Sequence, residues 1–221
     1  MVEIVEKGID SDDYRDYVIR DGKFIGAFDE MYRRIPDPWN IGDAGGIQYD
    51  LLLYLVRRYG ICAGGGRVLD IGAGRGAFTA RLKEIVPAAE IHAVDISPTA
   101  VRRAQEDHRD AGIRFSVLDI QKDYLGVEEG YDLVVLSQMV WYILPALGDI
   151  LHHLLDHVLG RGGYLLINQA FYQPGVQKYG REVVSRVEDL IRIAGKDPLE
   201  LIETNRLTNH NAILLFRNGV E

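Results

Sequence analysis

A glycine-rich loop next to a carboxylate is the part of this chain whose residue types most clearly suggest chemistry. Residues 68–78 read VLDIGAGRGAF and lie between a short apolar run and an amphipathic stretch. Gly72, Gly74 and Gly76 permit a tight turn whose bare backbone can approach a ligand closely. With Ala77 they also satisfy the dinucleotide-binding pattern Gly-x-Gly-x-x-Gly/Ala. The loop by itself therefore leaves the class of ligand open.

Asp70 distinguishes between two classes of ligand for this loop. It lies two residues before Gly72, at the carboxyl end of a predicted strand. A carboxylate there repels a pyrophosphate and attracts a ligand that carries an ammonium and a sulfonium. S-adenosylmethionine carries both positive groups and no phosphate, so Asp70 favours it over a dinucleotide. The alternative is that Asp70 only holds the loop by accepting backbone N–H bonds.

Two more acids follow the next two predicted strands. Asp95 comes 23 residues after Gly72, close to the spacing of about 20 residues for a ribose-binding acid. Asp119 can accept the exocyclic amine of adenine, with Ile96 and Ile120 against the faces of the ring. Acids at the carboxyl ends of successive strands share the edge where open α/β sheets bind ligands. On this interpretation, Asp95→Ala loses most of the cofactor affinity while folding is retained.

The surrounding sequence predicts the elements that hold these acids. Short apolar runs predict strands and amphipathic stretches predict helices, with a tight turn at 160–163. Five alternations of strand and helix require a parallel sheet covered on both faces. The last two strands are joined by a four-residue link and must pair antiparallel. The predicted strands are 67–71, 90–94, 113–118, 131–136, 164–168, 199–207 and 212–217, and the predicted helices are 77–86, 98–110, 145–159 and 181–194.

Over about residues 64 to 217 the chain resembles the class I S-adenosylmethionine-dependent methyltransferases. The family's glycine motif fits residues 70–76, its ribose acid fits Asp95 and its adenine-contacting acid fits Asp119. The resemblance implies an α/β, Rossmann-like, doubly wound seven-stranded sheet, mostly parallel with the last strand antiparallel. We expect an N-terminal helical or lid segment over 1–62 and the methyltransferase domain over 63–221. The expected cofactor residues are Asp70, Gly72, Ala73, Gly74, Gly76, Asp95, Ile96, Asp119, Ile120 and Ser137.

The segment after the fourth predicted strand, SQMVWYI at residues 137–143, faces the transferable methyl group in this family. Nucleobase amino-methyltransferases carry an Asn/Asp-Pro-Pro-aromatic motif there, and this chain does not. Metal-dependent catechol-type enzymes need clustered carboxylates there, and these are also absent, so we expect no metal. The formal net charge of −8, without a basic stripe, argues against a nucleic-acid substrate. A small-molecule acceptor is therefore expected.

The segment from Asp37 to Trp39 resembles the N-terminal signature of NodS-type methyltransferases, which N-methylate the amino sugar of a chito-oligosaccharide. In those proteins the segment after the fourth strand resembles Ser-Glu-Val-Leu-Tyr-Tyr-Leu. Here Gln138 stands where glutamate is expected, and Trp141 replaces the first tyrosine. The aromatic residues upstream, which include Tyr49, either form a lid over the ligands or anchor the N-terminal segment. Candidate substrate residues are Tyr32, Trp39, Gln138 and Trp141, with Tyr142 orienting the acceptor.

The sequence therefore predicts a methyltransferase that acts on an amine or hydroxyl of a sugar or natural-product-like metabolite. Two alternatives stay open: a nicotinamide-dependent oxidoreductase and a non-catalytic S-adenosylmethionine-binding protein. The single cysteine, Cys62, excludes an intrachain disulfide and fits a reducing compartment. The longest apolar run, residues 51–56, is far shorter than the roughly 20 residues that span a bilayer. We expect a cytoplasmic protein that does not enter the membrane, and we make no prediction of its oligomeric state.

Overall fold

The computed structural model describes residues 9–39, 46–172, 179–205 and 209–219. Its strands form a short two-stranded ribbon near the N-terminus and one large sheet. In chain order they are β1 (Ile19–Arg20), β2 (Lys23–Phe24), β3 (Gly66–Ile71), β4 (Ala89–Asp95), β5 (Ile113–Val117), β6 (Tyr131–Ser137), β7 (Leu159–Tyr172), β8 (Glu200–Asn205) and β9 (Asn209–Arg217).

The large sheet has seven strands in the order β5-β4-β3-β6-β7-β9-β8. Strands β3 to β7 run parallel to one another. Strand β9 lies between β7 and β8 and runs antiparallel to both. This topology confirms the predicted fold class. It also brings the carboxyl ends of β3, β4, β5 and β6 to one edge, which is where open α/β sheets bind ligands.

The helices lie around the large sheet and in the N-terminal part. They are α1 (Arg15–Val18), α2 (Phe28–Arg34), α3 (Gly46–Arg58), α4 (Ala77–Ile85), α5 (Pro98–Asp107), α6 (Ile120–Asp123), α7 (Leu147–His153) and α8 (Val187–Ala194). Helix α7 continues as a π-helix over Leu154–Val158. Within the described ranges, no helix combines the length and the apolar character needed to cross a bilayer.

The sheet is buried on both faces. Strand β6 shows why the strands of the sheet are continuous apolar runs in the sequence. Val134 and Leu136 pack in a cluster with residues of α7 and α8. Leu133 and Val135, which point the other way, pack in a second cluster with residues of α3 and α4. Because successive side chains of a strand alternate between its two faces, a strand covered on both sides needs apolar residues at every position.

Two predicted elements differ from the structure. The predicted tight turn at 160–163 is wrong, because these residues belong to β7, where Gly162 donates to the carbonyl of Asn218 at 2.9 Å. Helix α8 begins at Val187 instead of 181, because the carboxylate of Asp189 accepts N–H bonds from Ser185 and Arg186 and caps the helix there. The end of the predicted strand 199–207 lies outside the described residues.

The N-terminal segment, residues 9–39, packs against the sheet domain through a small apolar cluster. Tyr17, Val18, Met31 and Tyr32 are buried together with Ala100 of helix α5. This contact places the segment above the carboxyl edge of the sheet, next to the strand that ends in Asp95.

Candidate functional site

A cavity of about 780 Å³ opens at the carboxyl edge of the sheet and is closed on one side by the N-terminal segment. Most of the site residues predicted from the sequence line it. They are Asp70, Gly72, Ala73, Gly74, Asp95, Ile96, Asp119, Ile120, Ser137, Tyr32, Trp39, Gln138 and Tyr142. The structure therefore brings together residues from four strands and from the N-terminal segment, whereas the predicted residues Gly76 and Trp141 are not part of the lining.

The glycine loop needs its glycines for different reasons. Gly72 and Gly74 have φ of +78° and +57°, and both face the cavity. A methyl group added to Gly74 would lie 2.7 Å from the Tyr32 hydroxyl oxygen. Gly76, at φ +80°, precedes α4, and an added methyl group would lie 2.8 Å from the Phe115 ring. At Gly72 an added methyl group would lie 2.1 Å from the Met139 sulfur, so packing against a different side chain excludes a larger residue at each of the three positions.

Asp70 lies beneath this loop, in strand β3, and its residue surface is only 2% exposed. Thr79 of helix α4 donates its hydroxyl to the carboxylate at 2.6 Å. Burial raises the pKa of Asp70 to about 6, against the lowering effect of the Thr79 bond, and the charge of Asp95 raises it further. Asp70 thus supports the start of α4 and also presents a carboxyl group to the cavity.

Asp95, at the end of β4, ties the glycine loop to the strand beside it. One carboxylate oxygen accepts the Gly74 N–H at 2.8 Å and the other accepts the Ser97 N–H at 2.9 Å. Burial raises the pKa of Asp95, and these two backbone bonds lower it. Since a carboxylate has about four acceptor sites, each oxygen keeps acceptor capacity for hydroxyl groups in the cavity.

Asp119 has a structural role alongside any role in binding. Its side chain accepts the Gln121 N–H at 3.2 Å, which caps helix α6, and pairs with Lys122 at 2.6 Å. Ile120 beside it is buried, whereas Ile96 is 38% exposed. The two isoleucines line the same cavity as Asp119, so the structure brings together the three side chains predicted to surround an adenine.

Aromatic rings form another part of the cavity wall. We call this part the aromatic end; its residues are Tyr14, Phe28, Trp39, Tyr142 and Tyr172. The ring of Tyr142 meets Phe28 edge-on at 5.0 Å and Trp39 at 5.9 Å. Burial, with Tyr172 and Tyr14 close by, raises the pKa of Tyr142, so its hydroxyl keeps its proton. Sequence reasoning missed Tyr14, Phe28 and Tyr172, which no motif marks.

Tyr32 lies between the glycine loop and the aromatic end. Its hydroxyl oxygen accepts the indole N–H of Trp39 at 2.8 Å. Burial and the charge of Asp95 raise the pKa of Tyr32, although the Trp39 bond lowers it. A protonated hydroxyl thus stands between Trp39 and the loop at Gly74. This position lets the side chain meet a ligand at either part of the cavity.

Gln138 and Trp141 both bind backbone groups of strand β7. Gln138 has φ +58°, an unusual value for a residue with a side chain, and its amide oxygen accepts the Ala170 N–H at 3.1 Å. The indole N–H of Trp141 donates to the Ala170 carbonyl at 3.0 Å, and its ring meets Phe171 edge-on. The structure therefore places Trp141 in the core, outside the cavity, and corrects its assignment to the substrate. Gln138 lines the cavity but is already engaged.

The basic side chains of the lining, within the part of the chain that is described, are Arg75, Arg81 and His108. Arg75 pairs with Asp107 at 2.6 Å, and Arg81 pairs with Asp50 at 2.5 Å. A ring nitrogen of His108 lies 3.0 Å from the Arg75 carbonyl oxygen. These contacts already engage each described basic side chain of the lining, which disfavours an anionic acceptor. No group of three or more His, Cys, Asp or Glu in the described ranges is arranged to hold a metal ion.

Comparisons with known proteins agree with this geometry. Residues 68–163 match a family model described as a methyltransferase domain. The chain is 32% identical over 120 residues to malonyl-[acyl-carrier protein] O-methyltransferase of Bacillus cereus, covering 54% of this chain and 43% of that protein. It is 30% identical over 122 residues to aklanonic acid methyltransferase DauC of a Streptomyces species, covering 50% and 51%. The chain thus spans about half of the length of these curated relatives, or less.

A solved structure shares the fold. The N-methyltransferase NodS from Bradyrhizobium japonicum WM9 superposes with a TM-score of 0.61 at 23% identity, covering 77% of this chain and 94% of that one. At this level of identity the likeness shows the fold alone. The family model and the fold both agree with the family that the residues 70–76, Asp95 and Asp119 had indicated.

Proposed function

The chain belongs to the class I S-adenosylmethionine-dependent methyltransferases, and we propose that it transfers a methyl group from S-adenosylmethionine to a small molecule held at the aromatic end. The family makes S-adenosylmethionine its cofactor, as the sequence predicted. The observation that carries the proposal is the pair of buried carboxylates, Asp70 and Asp95, under and beside the glycine loop on the wall of one cavity.

The residues of this edge fit the cofactor in shape and in charge. Gly72 and Gly74 leave a bare backbone cradle that a methyl group on either residue would disturb. The carboxylates of Asp70 and Asp95 attract the positive groups of the ligand. The oxygens of the Asp95 carboxylate also accept hydrogen bonds from the ribose hydroxyls. Asp119 lies where an adenine amine would be accepted. When bound, the cofactor supplies a methyl group that its sulfonium has already activated.

The contribution of the protein to the reaction is mainly positioning. Aligning the acceptor with the methyl group can lower the barrier by roughly 7–11 kcal/mol. The protonated hydroxyl of Tyr142 can orient an acceptor by a hydrogen bond but cannot act as a base in this state. A neutral amine does not require a base before transfer, whereas a hydroxyl gains from one. The engaged cations of the lining further disfavour a carboxylate, so we propose an amine, or failing that a hydroxyl, as the acceptor group.

A methyl-release assay with three matched acceptors tests this proposal. The acceptors share one aromatic skeleton and carry an amine, a phenol or a carboxylate. We expect the amine to be methylated fastest and the carboxylate slowest. Asp95→Asn is the control variant and should lower the rate with every acceptor, because it weakens cofactor binding. Preferential methylation of the carboxylate would contradict the assignment of the acceptor class.

Two outcomes of binding experiments separate the rival functions. A non-catalytic binding protein would bind S-adenosylmethionine in calorimetry and release no methylated product from a broad acceptor panel. A nicotinamide-dependent oxidoreductase would bind reduced nicotinamide cofactor and ignore S-adenosylhomocysteine. The carboxylate of Asp70 under the loop argues against this function, because it would repel the pyrophosphate of the dinucleotide. The cytoplasmic location and the division into a 1–62 segment and a 63–221 domain also belong to the proposal.

A further inference from the structure

Asp29, in helix α2 of the N-terminal segment, caps a helix that belongs to the sheet domain. One of its carboxylate oxygens accepts the Ser97 hydroxyl at 2.8 Å and the Thr99 N–H at 2.8 Å. Ser97 in turn accepts the Ala100 N–H at 3.1 Å, as the usual cap of helix α5. Asp29 therefore adds an acceptor from outside to the first turn of α5, where a negative charge is also favoured by the helix dipole.

Asp29 is held there as an ionised group. Burial raises its pKa, but the bonds from Thr99 and Ser97 and the charge of Arg33 together lower it. Arg33, one turn later on α2, pairs with the second carboxylate oxygen at 2.6 Å. The contact is charge-assisted, and such hydrogen bonds are stronger than neutral ones. It joins α2 to the residues that directly follow Asp95 and Ile96 in the chain.

Two neighbours of Asp29 on α2, Phe28 and Tyr32, line the cavity. Phe28, the preceding residue, packs its ring against Tyr142 of the aromatic end at 5.0 Å. Tyr32, three residues after Asp29, stands against Gly74 and accepts the indole N–H of Trp39. Residues three apart share a helix face, so Asp29 and Tyr32 contact the sheet domain side by side. The position of one short helix thus sets the wall of the acceptor region and the contact at the glycine loop.

Helix α2 has seven residues, and a helix of this length is not stable by itself in water. Its position must come from its contacts with the sheet domain. We propose that Asp29 is the positioning residue that holds α2 over the cavity, so that cofactor affinity and the arrangement of the aromatic end both depend on it. This inference rests on the proposed function, because it concerns the same cavity.

The test uses tryptophan fluorescence and calorimetry on the full chain with S-adenosylhomocysteine as the probe. The chain has two tryptophans, and Trp141→Phe leaves Trp39 as the single reporter on the N-terminal segment. In this background we expect Asp29→Ala to raise the Kd of S-adenosylhomocysteine about tenfold, equivalent to about 1.4 kcal/mol. Acrylamide should also quench Trp39 more strongly in the ligand-bound variant. Asp29→Asn keeps one acceptor oxygen without the charge and should give an intermediate Kd.

Asp13→Ala is the matched control, because the described side-chain contacts of Asp13 are to Arg15, within the N-terminal segment. It should leave the Kd and the quenching of Trp39 unchanged. Thermal unfolding of each variant shows whether the sheet domain stays folded. Failure of the unsubstituted chain to bind the probe would contradict the proposed function. Binding by that chain with an unchanged Kd and unchanged quenching in Asp29→Ala would overturn only the role of Asp29, as would an equal loss in Asp13→Ala.

Discussion

Replacing Gly74 by alanine tests whether Tyr32 is packed against the glycine loop. Gly74 has φ +57°, and this left-handed conformation costs an alanine about 1–2 kcal/mol. The added carbon would also lie 2.7 Å from the Tyr32 hydroxyl oxygen, a distance shorter than van der Waals contact. Overpacking of this kind costs about 1–3 kcal/mol. We therefore expect Gly74→Ala to lower the free energy of unfolding by about 2–5 kcal/mol.

The two contributions can be separated by substituting Tyr32. Tyr32→Phe removes the hydroxyl oxygen and leaves the ring carbon that carried it, Cζ, 3.8 Å from the carbon added at Gly74, an ordinary contact. By itself this substitution loses the hydrogen bond from Trp39, at about 0.5–1.5 kcal/mol. In the Tyr32→Phe background only the backbone strain of Gly74→Ala remains. The cost of Gly74→Ala should then be smaller by about 1–3 kcal/mol.

Urea unfolding of four proteins measures this coupling: the unsubstituted chain, Gly74→Ala, Tyr32→Phe and the double variant. Calorimetry with S-adenosylhomocysteine on the same proteins shows whether the loop still binds. We expect Gly74→Ala to bind weakly and the double variant to recover part of the affinity. If Gly74→Ala lowered the stability equally in both backgrounds, the hydroxyl of Tyr32 would not lie against the loop.

Asp95→Asn should lower both stability and cofactor affinity, because the new amide NH₂ faces one of the N–H groups of Gly74 and Ser97. Calorimetry measures the affinity and thermal unfolding the stability. An unchanged melting temperature would contradict the structural role of Asp95, which the sequence alone had not indicated. The pKa of Asp70, raised from 3.8 to about 6, means that the folded state binds this proton more tightly than the unfolded state. Stability should therefore fall as the pH rises from about 4 to 7, by about 2 kcal/mol for this group. Asp70→Asn should remove that loss in urea unfolding between pH 4 and 7, and identical slopes would refute it. Burial raises the pKa of the Cys62 thiol to about 11, and the residue is only 8% exposed. Iodoacetamide at pH 8 should therefore alkylate the folded chain much more slowly than the unfolded chain, and equal rates would contradict this.

Elements set by local signals were predictable from the sequence. The Ser97-Pro98 pair marks the start of helix α5, since serine caps the helix and proline suits its first position. Gly195 marks the end of α8 by adopting φ +67°. The length of β7 was not predictable in this way. Its first residues are held by Asn218, which is distant in the sequence. The side-chain amide of Asn218 donates to the Leu159 carbonyl at 3.1 Å.

The same distinction separates the two ends of the cavity. At the part of the cavity that we propose for the cofactor, called the cofactor end, Asp70, Asp95 and Asp119 lie at or near the ends of strands, so their position in the fold can be deduced from the order of the strands. The aromatic end combines Tyr14, Phe28 and Tyr172, which come from distant parts of the chain and carry no motif. Trp141 and Tyr142 are neighbours on one 3₁₀ turn, yet one enters the core and the other the cavity. A prediction from position in the sequence could not separate them.

This division of the cavity has a consequence for specificity. The carboxylates of Asp70 and Asp95 also hold the glycine loop and the start of α4, so changes there disturb the fold together with cofactor binding. The rings of Tyr14, Phe28 and Tyr172 present shape and hydroxyl groups but no charge, and they lie on segments outside the glycine loop. Substitutions at these rings can therefore change which acceptor fits while the cofactor end stays intact. We therefore propose that acceptor choice depends on the N-terminal segment and the end of β7, and that cofactor binding depends on the edge of the sheet.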